Sequence, residues 1–394
     1  MDNSETENPE SVASNSRGTV KNKSSAARKN IKSPSANQSS TSVKEETWAQ
    51  ELLMRSQAYH HKFIDSHCHI DLIYDRLKLP SNTQYSEFIK AQAQSYPRNY
   101  EGCVAIFCNP QTFDLHNPED EVLNLASQEQ GVWLALGCHP KNAAFFTSTN
   151  IEGLRRKLLS LPNVVALGEI GLDYSGEYHM LAETQRRVLI SQLELAVELN
   201  LPLVIHCRDA DEELLEIMQK HVPTHHKIHR HCFTQNLSTA QRWIDAFPNL
   251  YVGFTPVITY KSAQDPATAA SQLPLDRILL ETDAPYFVPG NIKSRKVKTT
   301  HPGFALFTAE KIAELRGVST DEVLEACRNN TRHMYDLDYE AINSIDSGWH
   351  LSCNIFPLSS LQGVGGSVVI EPALRFPTFE VLYWSSSLME GLRA

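Results

Sequence analysis

His67 and His69, in the stretch Phe63-Ile64-Asp65-Ser66-His67-Cys68-His69, are the residues whose types and spacing point most directly to chemistry. On an extended segment residues i and i+2 leave the same face, so the two imidazoles share one side of a strand while Cys68 turns to the other. Two such nitrogens on one stiff support form a chelating pair suited to zinc, manganese, iron or cobalt. Alone the triplet is a weak signal, because a chain with 16 histidines produces His-x-His by chance. Other short apolar runs end in the same kind of residue. They deliver Asn109, His139, Glu169, His206, His231, Thr255 and Asp283. Taken singly, His206 reads as a satisfied core histidine and Glu169 as a loop cap. Taken together they do not, since several unpaired buried polar groups converging at one place would cost several kcal/mol.

With His67, His69 and Asp283 on one side and His206 and His231 on the other, two cations would share Glu169 as a bridging carboxylate. A metal pair about 3.5 to 4 Å apart clamps the attacking and leaving oxygens of a displacement and activates water near neutral pH. Hydrolysis is the reaction this predicts, with Asp283 placed to take the proton of the attacking water. Magnesium or manganese is the expected catalytic ion, and zinc also suits the donors. Cys68, Cys207 and Cys232 each follow a proposed ligand, so alternation turns them outward as small packing groups. The same alternation makes His229 and Glu281 inward-facing, one layer deeper than His231 and Asp283, in a buried hydrogen-bond network.

These residues need a scaffold that brings distant strand ends to one mouth. From residue 63 short apolar runs alternate with amphipathic ones, the pattern of repeated βα units. Eight strands are predicted: Phe63 to His67, Cys103 to Cys108, Trp133 to Gly137, Val164 to Glu169, Leu203 to His206, Ile228 to Cys232, Leu250 to Phe254 and Ile278 to Thr282. Helices are expected over Glu183 to Leu199, Asp211 to His221, Gly303 to Leu315, and Thr320 to Tyr335 with Ser319 as N-cap. Eight strands in about 275 residues, with no Gly-x-Gly-x-x-Gly after the first, predict a (β/α)8 TIM barrel over residues 63–337. In that fold the C-terminal ends of the strands meet at one mouth, where active sites are built.

Outside the barrel, residues 1–55 form a Ser-rich, partly basic stretch with few large apolar groups, expected to be a disordered tail. Residues 338–394 form a C-terminal extension whose pattern assigns no structure. The polar N-terminus and the absence of a long apolar run predict a non-secreted, non-membrane protein. Eight scattered cysteines without a Cys-x-x-Cys pair favour reduced thiols in a nuclear or cytoplasmic compartment. The net charge of −10 argues against coating nucleic acid by bulk electrostatics. A local exception follows the eighth strand. There Lys293, Arg295, Lys296 and Lys298 gather four cations that suit phosphate, and Arg208 and Lys141, just beyond their strands, point the same way.

The stretches Ile64-Asp65-Ser66-His67-Cys68-His69-Ile70-Asp71, Gly137-Cys138-His139-Pro140, Gly168-Glu169-Ile170-Gly171-Leu172-Asp173-Tyr174, Pro202 to Arg208, His231-Cys232-Phe233 and Glu281-Thr282-Asp283-Ala284-Pro285-Tyr286 together resemble the TatD family of metal-dependent nucleases, a branch of the amidohydrolase superfamily. The match covers about residues 63–337 and looks closer to the longer eukaryotic members with an N-terminal extension. The resemblance implies a TIM barrel and divalent-metal-dependent hydrolysis of phosphodiesters in DNA or RNA, often as an exonuclease. Carried over by position, it implies that His67, His69, Glu169, His206, His231 and Asp283 are metal ligands. Glu169 would bridge and Asp283 would double as base. His139 would sit near the scissile phosphate as a donor to the leaving oxygen. Two functions compete with a nuclease: a hydrolase of small amides, lactones or phosphoesters using the same site, and a catalytically silent binding protein.

Overall fold

The computed structural model of the chain describes residues 49–115, 120–292, 297 and 299–337. Eight strands run in sequence order through one sheet: β1 (Phe63–Cys68), β2 (Tyr100–Phe107), β3 (Val132–Leu136), β4 (Val164–Asp173), β5 (Leu203–Arg208), β6 (Ile228–Arg230), β7 (Leu250–Phe254) and β8 (Ile278–Leu280). Every neighbouring pair is parallel. A parallel bridge between Cys68 and Ala284 brings β1 against the segment that follows β8, so the sheet curls into a barrel. The expected (β/α)8 architecture is therefore present.

Each strand leads into helical segments that cover its outer face, and the core has two layers. Side chains such as Phe63, Leu136, Leu193 and Trp243 fill the space between strands and helices. A smaller inner cluster includes Ile64, Val104, Ala166, Val204 and Leu279, joined by Met334 and Tyr335 of the last helix, Thr320–Tyr335. That helix starts as expected, with Ser319 accepting a hydrogen bond from the Glu322 amide at 3.1 Å. Two expectations shift. The helix expected from Gly303 begins at Ala305, after a tight turn over Pro302–Phe304. The tail expected over residues 1–55 is helical over 49–56 at its described end. There Leu52 is buried and Arg55 pairs with Glu310 at 2.8 Å. A few apolar residues on one helical face dock this turn, which polar composition averaged over the whole tail conceals. Residues 1–48 and the extension 338–394 lie outside the described residues.

Two breaks in register decide which way the chemical side chains point. Along β1, Ile64 belongs to the inner cluster and Cys68 to the outer one, although strict alternation would give both the same side. A break between Asp65 and Cys68 reverses the alternation and turns His67 and His69 inward. Along β4, Ala166 is inner and Ile170 outer, with a break between Gly168 and Ile170 that turns Glu169 into the barrel. Beyond it β4 runs close to β5: a Cβ on Gly171 would lie 1.8 Å from the His206 carbonyl oxygen, so only glycine fits.

The seam between β1 and β8 is held by a side chain as much as by backbone. Asp65, fully buried, accepts from the Thr282 amide at 2.9 Å, the Thr282 hydroxyl at 2.6 Å and the His67 amide at 3.3 Å. The Asp283 amide donates to the His67 carbonyl at 2.9 Å and the His69 amide to the Ala284 carbonyl at 2.8 Å. Burial raises the Asp65 carboxyl well above the ordinary carboxylate range, against the lowering effect of its bond to Thr282. Asparagine keeps one oxygen for the two amides and gives up only the acceptor that faces the Thr282 hydroxyl. Asp65→Ala, which leaves buried donors unpaired, should lose roughly 2–5 kcal/mol of unfolding free energy in chemical denaturation. Asp65→Asn should lose about 1 kcal/mol or less, and equal losses would mean that the clasp does not hold the seam.

Candidate metal centre

The re-aimed side chains meet at the C-terminal mouth. His67 and His69 come from the end of β1, Glu169 from the bulge of β4, His206 from β5, His231 from just after β6, and Asp283 from just after β8. His67 Nε2 and His69 Nε2 lie 3.3 Å apart. Asp283 Oδ1 is 3.6 Å from the first and 3.2 Å from the second. On the other side His206 Nδ1 and His231 Nε2 lie 2.7 and 2.9 Å from Glu169 Oε1. Glu169 Oε2 is turned to the first group, 3.6 Å from His67 and 3.8 Å from His69. One carboxylate thus faces two ligand sets, and the His67 and His231 rings stack between them with centroids 3.7 Å apart.

The donor set fits divalent cations. His67, His69 and Asp283 present donor atoms mutually within 4.8 Å, as do Glu169, His206 and His231. Two imidazole nitrogens 3.3 Å apart need a proton or a cation between them, and the electrostatics favour positive charge there. Burial alone lowers His69, but its hydrogen bonds to Asp283 and the Cys108 thiol overcome this and raise it well above the usual histidine value. Burial likewise opposes the charge on His231, yet Glu169 and Glu281 lift it to about 10. His67, fully buried and beside His231, falls to about 4. Glu169 is pushed up by burial, but the imidazoles of His231, His139 and His206 outweigh it and hold the carboxyl well below the ordinary range.

The layer beneath matches the expected network. Glu281 Oε2 lies 2.9 Å from His229 Nε2 and 3.6 Å from His231 Nδ1. His229 Nδ1 meets the Tyr335 hydroxyl at 2.7 Å, and that hydroxyl reaches the Ser66 carbonyl at 3.3 Å. The last helix therefore braces the ligand side chains from inside the barrel. Cys68 and Cys207 pack outward in the outer core as expected. Cys232 departs from the expectation. Its φ of +45° takes it out of the strand, so β6 ends at Arg230, and the residue is only half-buried.

His139, beyond β3, joins the same mouth with Nε2 3.6 Å from Glu169 Oε1. The Lys141 amide donates to its Nδ1 at 3.1 Å, which places the ring proton on Nε2, the nitrogen facing Glu169. Burial pulls this imidazole down to about 3, so it is a neutral donor.

A family model described as TatD related DNase matches residues 64–336, well over half of the chain. The chain belongs to the TatD family. It is 42% identical over 275 residues to the human 3'-5' RNA nuclease TATDN2, a match covering 70% of this chain and 35% of that protein. The chain thus spans about a third of that relative's length. It is 32% identical over 220 residues to the 3'-5' ssDNA/RNA exonuclease TatD of Erwinia amylovora, covering 55% of this chain and 83% of that one. Among solved structures, that of YJJV, a TatD homolog from Escherichia coli, superposes with a TM-score of 0.59 at 28% identity, over 70% of this chain and 98% of that one.

Within the TatD match two side chains join the mouth that the strand-end pattern did not assign. Asp173 Oδ2 lies 3.1 Å from His206 Nε2 and 3.3 Å from Lys141 Nζ. Its signal was the even spacing from Glu169 along β4, which was hidden because that strand was expected to stop at Glu169. Cys108 Sγ groups with donor atoms of His69 and Glu169; burial pushes its thiol up to about 11, so it acts as a neutral partner. Of the expected phosphate contacts, Arg208 is exposed at the end of β5, whereas Lys293, Arg295, Lys296 and Lys298 lie outside the described residues.

Against the effect of burial, hydrogen bonding to Asp283 raises His69, and Glu169 raises His231, above the ordinary histidine value, so a cation bound there would displace their protons. Affinity for Mn2+ should therefore rise with pH between about 6 and 8. Calorimetric titrations in buffers of different ionisation enthalpy should report proton release. Affinity that is flat with pH, with no proton released, would contradict this picture of the centre.

Proposed function

We propose that the chain is a metal-dependent nuclease that hydrolyses phosphodiester bonds of RNA or DNA from a 3' end, with residues 63–337 as its catalytic unit. The observation that carries this reading is Glu169, a single buried carboxylate turned toward the His67, His69 and Asp283 triad on one side and the His206 and His231 pair on the other. The names of the human and Erwinia relatives support the substrate class. His67, His69 and Asp283 would hold one divalent cation, His206 and His231 the other, and Glu169 both. Magnesium or manganese is the proposed ion, and zinc also suits the donors. Bound there, the pair would neutralise phosphate charge and lower the pKa of water.

The chain's own groups do the remaining work. The Asp283 carboxylate accepts a proton from water on the β1 side of the mouth. His139, neutral and protonated at Nε2, donates a hydrogen bond to a phosphate or leaving oxygen opposite it. Asp173 orients His206 from the far side of the ring. Exposed Arg208, with Lys293, Arg295, Lys296 and Lys298, supplies the positive charge that draws the phosphate backbone to an otherwise acidic chain.

End-labelled single-stranded, duplex and hybrid oligonucleotides, incubated with Mg2+ or Mn2+, test the reading. Cleavage should be abolished by chelator and reduced by roughly 10²–10⁴-fold or more in Glu169→Ala and Asp283→Ala. A wild-type chain that leaves every substrate intact would refute it. Neutralising the four cations of 293–298 should weaken oligonucleotide binding and flatten its salt dependence by about 0.7 in log–log slope per lost single-strand phosphate contact. A small-substrate hydrolase would show no such change.

A further inference from the structure

Beside the metal centre lies a cleft of about 520 Å³ that the reaction above does not use. Its walls come from the segments that follow β2 and β3, on the same face of the barrel as the ligands. Asn109, Gln111 and Asp114 contribute from the first, Asn142, Phe145 and Thr149 from the second. Two residues of the centre lead along the chain into the cleft walls. Cys108, whose Sγ groups with His69 and Glu169, immediately precedes Asn109, and its carbonyl accepts from Asn142 Nδ2 at 3.4 Å. His139, whose Nε2 faces Glu169, opens the turn Pro140–Phe145 that ends in the cleft wall.

Three features indicate what the cleft holds. Phe145 is 74% exposed, a large apolar ring left in water at the edge of a polar cleft, and the other large side chain of its turn, Phe146, is buried. Among the described lining residues there is no lysine or arginine, and Asp114 adds a carboxylate, so a phosphate is disfavoured. The helix Ser148–Ser160 also begins at this wall, but Thr147 and Asn150 cap it reciprocally, leaving its amide end satisfied rather than open to an anion. What remains is an exposed aromatic face with amide and hydroxyl groups around it. That chemistry suits a neutral, flat, hydrogen-bonding ring.

We infer that this cleft is a nucleobase subsite: the base of the nucleoside next to the scissile phosphate stacks on Phe145, its edge meeting Asn109, Gln111 and Asn142. The volume falls within the roughly 300–1,000 Å³ of small-ligand sites, enough for one base with its sugar. Stacking on an aromatic side chain tolerates all bases, so the subsite adds affinity with little sequence preference. The inference rests on the nuclease reading and specifies which part of the substrate is gripped away from the metals.

Phe145→Ala and Phe145→Trp, compared on an oligonucleotide and on the same oligonucleotide with tetrahydrofuran abasic residues at its 3' end, with Mn2+, test it. Phe145→Ala should raise KM for the oligonucleotide by roughly five- to a hundredfold, with kcat nearly unchanged. Phe145→Trp should restore it, and the KM of the abasic substrate, which has no base to stack, should be unaffected by either. An unchanged KM in Phe145→Ala, or an equal loss on both substrates that tryptophan does not rescue, would overturn the subsite. If wild type hydrolyses neither substrate, the nuclease reading itself fails. Equilibrium binding of a fluorescent oligonucleotide then decides the subsite alone: weaker binding by Phe145→Ala supports it, equal binding overturns it.

Discussion

Glu169 is almost fully buried among five imidazoles, each with a nitrogen within 3.8 Å of its carboxylate. A buried carboxylate in that position must be matched by positive charge, and its neighbours favour it: Asp283 raises His69 and Glu169 raises His231 above the ordinary histidine value against the opposing effect of burial. The arrangement would be a costly way to build a core, because every group in it is desolvated and none is apolar. As a receptacle for divalent cations it is economical, since each proton is exchanged for a stronger charge held by the same donors. The buried network of Glu281, His229 and Tyr335 and the Asp173 contact to His206 keep those donors aimed at the centre.

That convergence depends on how the barrel is shut. The Cys68–Ala284 bridge links β1 to the segment after β8, and three of the proposed ligands sit at that seam. The Asp65 carboxyl, bonded to both Thr282 and the His67 amide, therefore sets the spacing of His67 and His69 against Asp283. Opposite the seam, the bulge in β4 turns Glu169 inward toward both ligand sets. Local irregularities at the seam and the bulge thus give a regular scaffold its reactive geometry.

The barrel and most of the mouth were legible in the sequence because both rest on short-range rules. Alternating apolar runs mark strands, and a polar residue at the end of each marks the open face. The pairing of His67 with His69 followed from i, i+2 alternation, and that survives any shift of register. The direction in which the pair points does not. It depends on a bulge between Asp65 and Cys68 that no local pattern reveals. Asp173 was missed for a related reason: β4 runs through two glycines, which normally end a strand, but here they allow β4 to pack against β5. Asp65 reads in sequence only as one residue of the first strand, and its part in closing the barrel exists only once β1 and β8 are brought together. Cys108 and the cleft at Phe145 are likewise products of tertiary placement, with no spacing that announces them.

The direct measurement is a crystal structure of the chain grown with Mn2+, with the ions located by anomalous scattering. Two peaks about 3.5–4 Å apart, one against His67, His69 and Asp283 and the other against His206 and His231, with Glu169 between them, are the expected result. A single ion that leaves Glu169 uncoordinated, or ions bound elsewhere on the barrel, would contradict the account.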